Sequence, residues 1–265
     1  MATAPTIVNP LKELLKADKV ALGMLVRLAR SGDIARIAKT TGHDFLFIDA
    51  QHALYNVETI GHIAQTALGI GISPLVRVRS CDDPDTSVLL DNGIAGIVFP
   101  DVNTAAEARR AVDKARYEPI GKRSVSGSYT VYDFKAVPAD VALPALNDYT
   151  LVVCMIESAE GLKNVEEIAA VPGIDVIHVG SSDLLNSIGK PGAYGCPEHV
   201  AALDRVINAA RKNGKIPGVG GDRNVVRQSE FIRKGARFLT TNSDISFMTT
   251  EATRVTQELR KALGI

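Results

Sequence analysis

Eight short, almost uninterrupted apolar runs recur along the chain, each separated from the next by a longer segment with helical spacing. The runs are VALGMLV (20–26), FLFID (45–49), PLVRV (74–78), AGIVFP (95–100), LVVCMIE (151–157), IDVIHVG (174–180), KIPGVG (215–220) and RFLTTN (237–242). A strand with one solvated face alternates apolar and polar residues, whereas a continuous apolar strand needs cover on both faces, as in a parallel sheet flanked by helices. The intervening segments are amphipathic. In PEHVAALDRVINAARKNG (197–214), Val200, Leu203, Val206, Ile207 and Ala210 share one face, Pro197 suits the first turn and Gly214 the stop. NTAAEARRAVDKA (103–115) and AEGLKNVEEIAAV (159–171) behave similarly. Eight strand–helix units without a linker predict an α/β fold, a (β/α)8 TIM barrel occupying residues 1–265 as one domain. A doubly wound open sheet is the alternative, but neither GxGxxG after the first strand nor GxxxxGK[ST] anywhere supports it. The stretch from Tyr117 to Asn147 breaks the alternation and reads as a long loop, a candidate lid.

Thirty Lys and Arg balance thirty Asp and Glu, so no global field draws the chain to nucleic acid or an anionic membrane. A small-molecule partner is the expectation. Cys81, Cys154 and Cys196 form neither a CxxC nor a zinc-ligand pattern, which suits a reducing compartment. The N-terminal MATAPTIVNPLKELLK lacks the apolar core of a signal peptide, so a cytoplasmic location is expected.

In a barrel the chemistry lies at the carboxyl ends of the strands, and the polar residues there are the candidates. Arg27 and Arg30 follow the first strand, and Asp49 with His52 the second. Arg77 and Arg79 end the third, Glu157 closes the fifth, and Asp183 follows the sixth; strands seven and eight offer less. Glu157 and Asp183 would repel each other at one rim unless a divalent cation lay between them. Few hard oxygen ligands favour Mg²⁺ or Mn²⁺ and permit Co²⁺ or Zn²⁺. Alternatively, Glu157 caps the next helix and Asp183 makes a surface ion pair. Arg77, flanked by valines, either clamps a substrate carboxylate or enolate or forms an internal ion pair with an acid such as Asp49. His52 is either a general base oriented by a neighbouring acid or a solvated loop residue. Together these groups suggest metal-assisted proton abstraction beside a carbonyl.

The stretches FLFIDAQHALYNVETI, PLVRV, LLDNGIAGIVFPDVNTAAEARRAV, YEPIGKRS, MIESAEGLKNVEEIAAVPGIDVIHVGSSDL and SIGKPG occur in order. In this the chain resembles the HpcH/HpaI aldolase family, the class II pyruvate aldolases, from about Asn9 to the C-terminus. The resemblance implies a divalent metal held by Glu157 and Asp183, with pyruvate or a related 2-oxo acid bound to it. Arg77 would steady the keto or enolate oxygen. His52, with Asp49 and with Asp91 from a neighbouring subunit, would activate a water on the metal that moves the proton. The backbone at Ser182 and Asp183 would receive the substrate carboxylate, and Arg123 matches an arginine of the family's RG loop. The implied activity is cleavage or formation of a 4-hydroxy-2-oxo acid with an aldehyde as partner. The implied assembly is a homohexamer, a trimer of dimers exchanging the C-terminal helix.

Gln51, Met155, Ser181-Ser182 and Ser124 depart from the family's usual pattern of Glu, Gln, Pro-Ala and Gly at those places. Met155 replaces a polar contact near the 2-oxo acid with a thioether, which suits a different or bulkier substrate. One of Arg27 and Arg30 is expected to bind a carboxylate on the acceptor end, their alternative being solvated arginines at a helix start. Two other functions remain open: an acyl-CoA lyase like the citrate lyase β-subunit, and a catalytically silent barrel acting as a binding protein.

Overall fold

The computed structural model describes residues 6–265, so residues 1–5 of the expected domain lie outside the described residues. Eight strands run β1 (Ala21–Val26), β2 (Phe45–Asp49), β3 (Ser73–Arg77), β4 (Gly96–Phe99), β5 (Leu151–Ile156), β6 (Val176–Gly180), β7 (Ile216–Gly220) and β8 (Phe238–Ser243). Every neighbouring pair is parallel, and β8 pairs with β1, so the sheet closes into a barrel in chain order. The helices are α1 (Pro10–Lys16), α2 (Asp33–Thr40), α3 (Val57–Gly69), α4 (Thr86–Asp91), α5 (Ala105–Ala115), α6 (Ala139–Tyr149), α7 (Ala159–Lys163) and α8 (Val165–Ala170). They continue with α9 (Ser181–Ser187), α10 (Pro197–Lys212), α11 (Val225–Arg233) and α12 (Asp244–Leu263).

The continuous apolar runs are explained by two cores, one on each face of the sheet. Phe45, Phe47, Leu75, Val98, Val153, Met155, Val176 and Phe238 point inward, and Leu11 and Leu15 of α1 close the N-terminal end beneath them. The alternate residues, among them Leu46, Ile48, Val76, Ile97, Val152, Ile177 and Leu239, pack outward against the helices. Asn9 locks the plug: its side chain caps α1, donates to the carbonyls of Ala95 and Tyr149, and accepts from Ser73 Oγ.

The expected strands fall within about two residues of the observed ones, and the open-sheet alternative is excluded by closure. Two expectations are corrected. The stretch 117–147 is not a lid: it joins the C-terminal end of α5 to the start of β5, at the end of the barrel opposite the mouth. It holds a 3-10 turn at Thr130–Tyr132 and most of α6, packed on Tyr117, Tyr129, Tyr132, Ala142 and Leu146. Its Ser- and Pro-rich composition concealed this small core. The expected helix 159–171 is two, α7 and α8, broken at Asn164. Among the described residues no helix is long and apolar enough to cross a membrane. In α12 only Asp244 is buried, while Phe247, Met248, Leu259 and Leu263 are exposed.

Candidate active site

A cavity of about 730 Å³ opens at the carboxyl ends of the strands. Its electrostatic anchor is Asp49, the last residue of β2, fully shielded from solvent. Asp49 faces Arg77 in the parallel register, and the guanidinium donates to it through both Nε (3.0 Å to Oδ1) and Nη2 (2.7 Å to Oδ2). Arg27 Nε adds a third bond at 2.6 Å, and the backbone N–H groups of Gln51 and His52 point at Oδ1 from 3.2 Å. Burial works to raise the carboxyl's pKa, but the bonds and charge of Arg77, helped by Arg27, outweigh it and hold it below the usual range. Of the two readings the sequence left open, Arg77 makes the internal ion pair, and it also lines the cavity.

Glu157, just past β5, is the opposite case. Its Oε1 accepts the backbone N–H of Asp101 at 2.8 Å, while its buried Oε2 has no hydrogen-bond partner. Burial pushes its pKa up to about 7, although the Asp101 N–H and the more distant Arg77 favour the charged form. Gly180 makes the room: a Cβ there would lie 2.5 Å from Glu157 Oε2. Asp183, in the first turn of α9, lines the same cavity and is exposed. Among the described residues no third His, Cys, Asp or Glu completes a metal cage. A buried, unpaired carboxylate oxygen with a second carboxylate nearby fits a hard divalent cation that takes its other ligands from water and substrate. Glu157 is not a helix cap; that place belongs to Ser158 on α7.

Gln51 joins this wall, donating from Nε2 to Asp101 Oδ2 at 3.3 Å. A glutamate at this position would face Asp101 and set a further negative charge beside Glu157, so the departure relieves repulsion. His52 lines the cavity on the exposed loop after β2, tied to Asp49 through its backbone N–H. Met155 lies beneath Glu157 on the inner face of β5, paired in register with His178. Ser182 Oγ shares a hydrogen bond with Tyr194 Oη at 2.9 Å.

Three candidates fall elsewhere. Arg30 stacks on Tyr55 at 3.9 Å and donates to the carbonyls of Arg27, Leu28 and Ala29, so of the two early arginines only Arg27 reaches the cavity. Asp91, at the C-terminal end of α4, pairs with Arg123, which is buried against Tyr117. Both lie at the N-terminal end of the barrel, and the fold does not bring them to the mouth of their own chain.

The expectation that strands seven and eight offer little is corrected. The loop after β7 lines the cavity with Asp222, Arg223, Asn224 and Arg227, and β8 with Thr240, Thr241 and Asn242. Their signal was legible: GGDRN and TTN are polar runs abutting apolar strands. His178 carried no such signal, being one polar residue inside an apolar strand. It is fully buried in the barrel, its pKa lowered to about 3 by burial and the charge of Arg77, and it stays neutral. Gly218 and Gly220 clear space for the ring: a Cβ at either would come within 2.7 Å of a ring nitrogen.

A closed parallel barrel with two carboxylates, a paired arginine and a loop histidine at the carboxyl ends of its strands is the arrangement of a barrel enzyme, whose active site lies at that end. Sequence comparison narrows the class: residues 23–249 match the HpcH/HpaI aldolase/citrate lyase family, and the chain belongs to that family. It is 36% identical over 216 residues to 4-hydroxy-4-methyl-2-oxoglutarate aldolase tasA of Hapsidospora irregularis, covering 79% of this chain and 80% of the relative. It is 29% identical over 254 residues to the hydroxypyruvate/pyruvate aldolase of Cupriavidus necator, covering 96% and 93%. The crystal structure of an HpcH/HpaI aldolase from Desulfitobacterium hafniense superposes with a TM-score of 0.91 at 29% identity, covering 96% of this chain and 97% of that one.

Proposed function

We propose that this protein is a divalent-metal-dependent aldolase that cleaves or forms a 4-hydroxy-2-oxo acid, with pyruvate or a related 2-oxo acid as donor. The observation carrying this reading is the unpartnered Oε2 of Glu157 beside Asp183, opposite an arginine that Asp49 holds rigid. Relatives that are aldolases of 2-oxo acids support it. Glu157 and Asp183 would hold the metal, most simply Mg²⁺ or Mn²⁺, which when bound polarises the 2-oxo carbonyl as a Lewis acid.

The chain's own residues supply the rest. Arg77 presents to the cavity the part of its guanidinium that Asp49 leaves free, where negative charge grows on the substrate oxygen as the proton leaves C3. Because the Asp49 bonds fix the fork beforehand, little reorganisation is needed at that moment. His52, which lines the cavity, would take the C3 proton and return one to the alkoxide after C3 has attacked the aldehyde. Backbone at Ser182 and Asp183, in the first turn of α9, would receive the donor carboxylate. Met155 and Phe47 keep water from the inner side.

The same reading takes residues 1–265 as one domain. It places Asp91 and Arg123 in the site of a neighbouring subunit, with α12 exchanged within a hexamer, which the exposed apolar residues of α12 support. Proton–deuterium exchange at the methyl of pyruvate, followed by NMR, tests the chemistry without an acceptor. Exchange that needs a divalent metal and is abolished by chelator and by Glu157→Ala is the expected result. Exchange that persists in chelator would overturn the metal-dependent reading.

A further inference from the structure

Two polar side chains on the inner wall of the barrel have no part in the chemistry of the metal wall and the arginine. His178 points inward from β6, two residues past Val176 of the inner core and two before Gly180. Its ring meets Phe238 edge to face at 5.4 Å and Phe47 at 6.0 Å. The imidazole therefore caps the aromatic layer that fills the barrel and forms the floor of the cavity above it. Thr240, two residues past Phe238 on the inner face of β8, is buried and lines the same cavity.

The glycines of β7 bring the two together. A Cβ at Gly220 would lie 2.6 Å from Thr240 Oγ1 and 2.7 Å from His178 Nε2, so both atoms converge on one point beside that strand. With no side chain rising from β7 at 218 or 220, a recess opens there, wide enough for an oxygen to bond to both. The other ring nitrogen, Nδ1, is sealed in the protein and has no partner. Among the described residues neither Nε2 nor Thr240 Oγ1 has a hydrogen-bond partner either. A neutral imidazole carries one N–H, and it is best placed on the nitrogen that can find an acceptor, which is Nε2. Burial and the charge of Arg77 keep the ring neutral. His178 is thus an uncharged donor aimed at the recess.

Within the aldolase reading, the oxygens of a 4-hydroxy-2-oxo acid are served unevenly. The keto oxygen has Arg77 and the metal, and the carboxylate has the first turn of α9. The oxygen on C4 has no standing donor, although it carries the charge whenever the C3–C4 bond forms or breaks. We propose that His178 is a catalytic residue, its Nε2–H forming with the Thr240 hydroxyl an oxyanion pocket for the C4 oxygen. In the aldol direction C3 bonds to C4, the carbonyl electron pair moves onto the C4 oxygen in this pocket, and His52 delivers to it the proton taken from C3. In cleavage the proton leaves to His52, the C4 carbonyl re-forms, and the bonding pair stays with the donor. His178 keeps its own proton throughout. A donor fixed in a dry recess needs no reorganisation as the charge develops.

The test compares two reactions of one protein. Pyruvate methyl exchange involves no C4 oxygen, whereas cleavage of 4-hydroxy-2-oxopentanoate does. That substrate carries only a methyl group beyond C4, so a pocket that reads the C4 oxygen must accept it. His178→Phe should lower the ratio of cleavage to exchange on the order of 10²-fold, the scale of one oxyanion donor. His178→Gln, which keeps a neutral N–H, should restore part of it. Thr240→Val, which keeps the shape and carries the test if the Phe variant does not fold, should lower the ratio about tenfold. A ratio unmoved by these changes, equal losses in both reactions, or a parent that exchanges pyruvate without cleaving this substrate would overturn the pocket. Exchange in the parent separates the failures: if it proceeds, the pocket alone is wrong; if it is absent with every metal, the aldolase reading falls too.

Discussion

Asp49 and Glu157 are carboxylates at strand ends on one rim, both shielded from solvent, and their surroundings push them in opposite directions. Asp49 is saturated by two guanidinium groups and two backbone N–H groups, and its pKa is lowered. Glu157 keeps one oxygen without a donor, and its pKa rises to about 7. The difference lies in the cations, since burial opposes ionisation at both. Asp49 receives its positive charges from the chain, whereas Glu157 Oε2 receives no donor from it. A saturated acid serves as a fixed support for Arg77, and an unsaturated one is open to a ligand role under the proposed function.

The largest effect that would break this contrast is on Glu157. Glu157→Ala should lower the rate of pyruvate methyl exchange by on the order of 10³-fold or more, with metal affinity lost in isothermal titration. Retained metal binding would mean that the orphaned oxygen is not a ligand.

Asp49→Asn should act on the fold as well as the rate. Breaking a buried pair costs about 3–5 kcal/mol, because Arg77 and Arg27 would face each other across a neutral amide. Denaturant unfolding reads that loss, and a value below about 1 kcal/mol would mean that water already screens the triad. His52→Ala, by contrast, should lower exchange on the order of 10²-fold while metal binding and stability hold. An unchanged rate would remove His52 from proton transfer.

The smallest effect is on pH dependence, where the two acids carry opposite signs. Asp49 is held below its usual 3.8, so the stability it contributes is present above that pH and lost as pH falls further. Glu157 is raised from 4.5 to about 7, so its contribution is full below pH 4.5 and lost as pH rises to about 7. The Tm of metal-free protein should therefore decline by a few degrees across that interval, and saturating Mg²⁺ should stabilise more at the upper end. Glu157→Gln should flatten the decline; if the slope persists, another group is responsible.

The parts of the site that could be read from sequence share one property: each is a polar residue where an apolar strand ends. Glu157, Arg77, Asp49 and Asp183 stood out because hydrophobic runs stop at or near them. The same rule reached GGDRN and TTN, but a cluster of small polar residues after a strand reads equally well as an ordinary turn. Arg30 obeyed the rule and still points away, since the stacking face of Tyr55 and three carbonyls hold it. His178 was hidden because a single imidazole inside VIHVG gives no sign of the glycines on the adjacent strand that admit it.

By itself the sequence determined a parallel sheet of eight strands buried on both faces, because runs with no polar face need cover on each side; that β8 closes on β1 as a barrel, rather than leaving an open sheet, tertiary structure decided. The sequence also determined which carboxylates and arginines stand near the rim, since period and chain order suffice to place strand ends. What else tertiary structure decided was pairing. Whether Arg77 met Asp49, whether Glu157 met any donor, and whether the Arg27 and Arg223 loops met α12 depend on contacts between residues 23 to 217 positions apart. Charge compensation is set by such distances, and no local pattern encodes them.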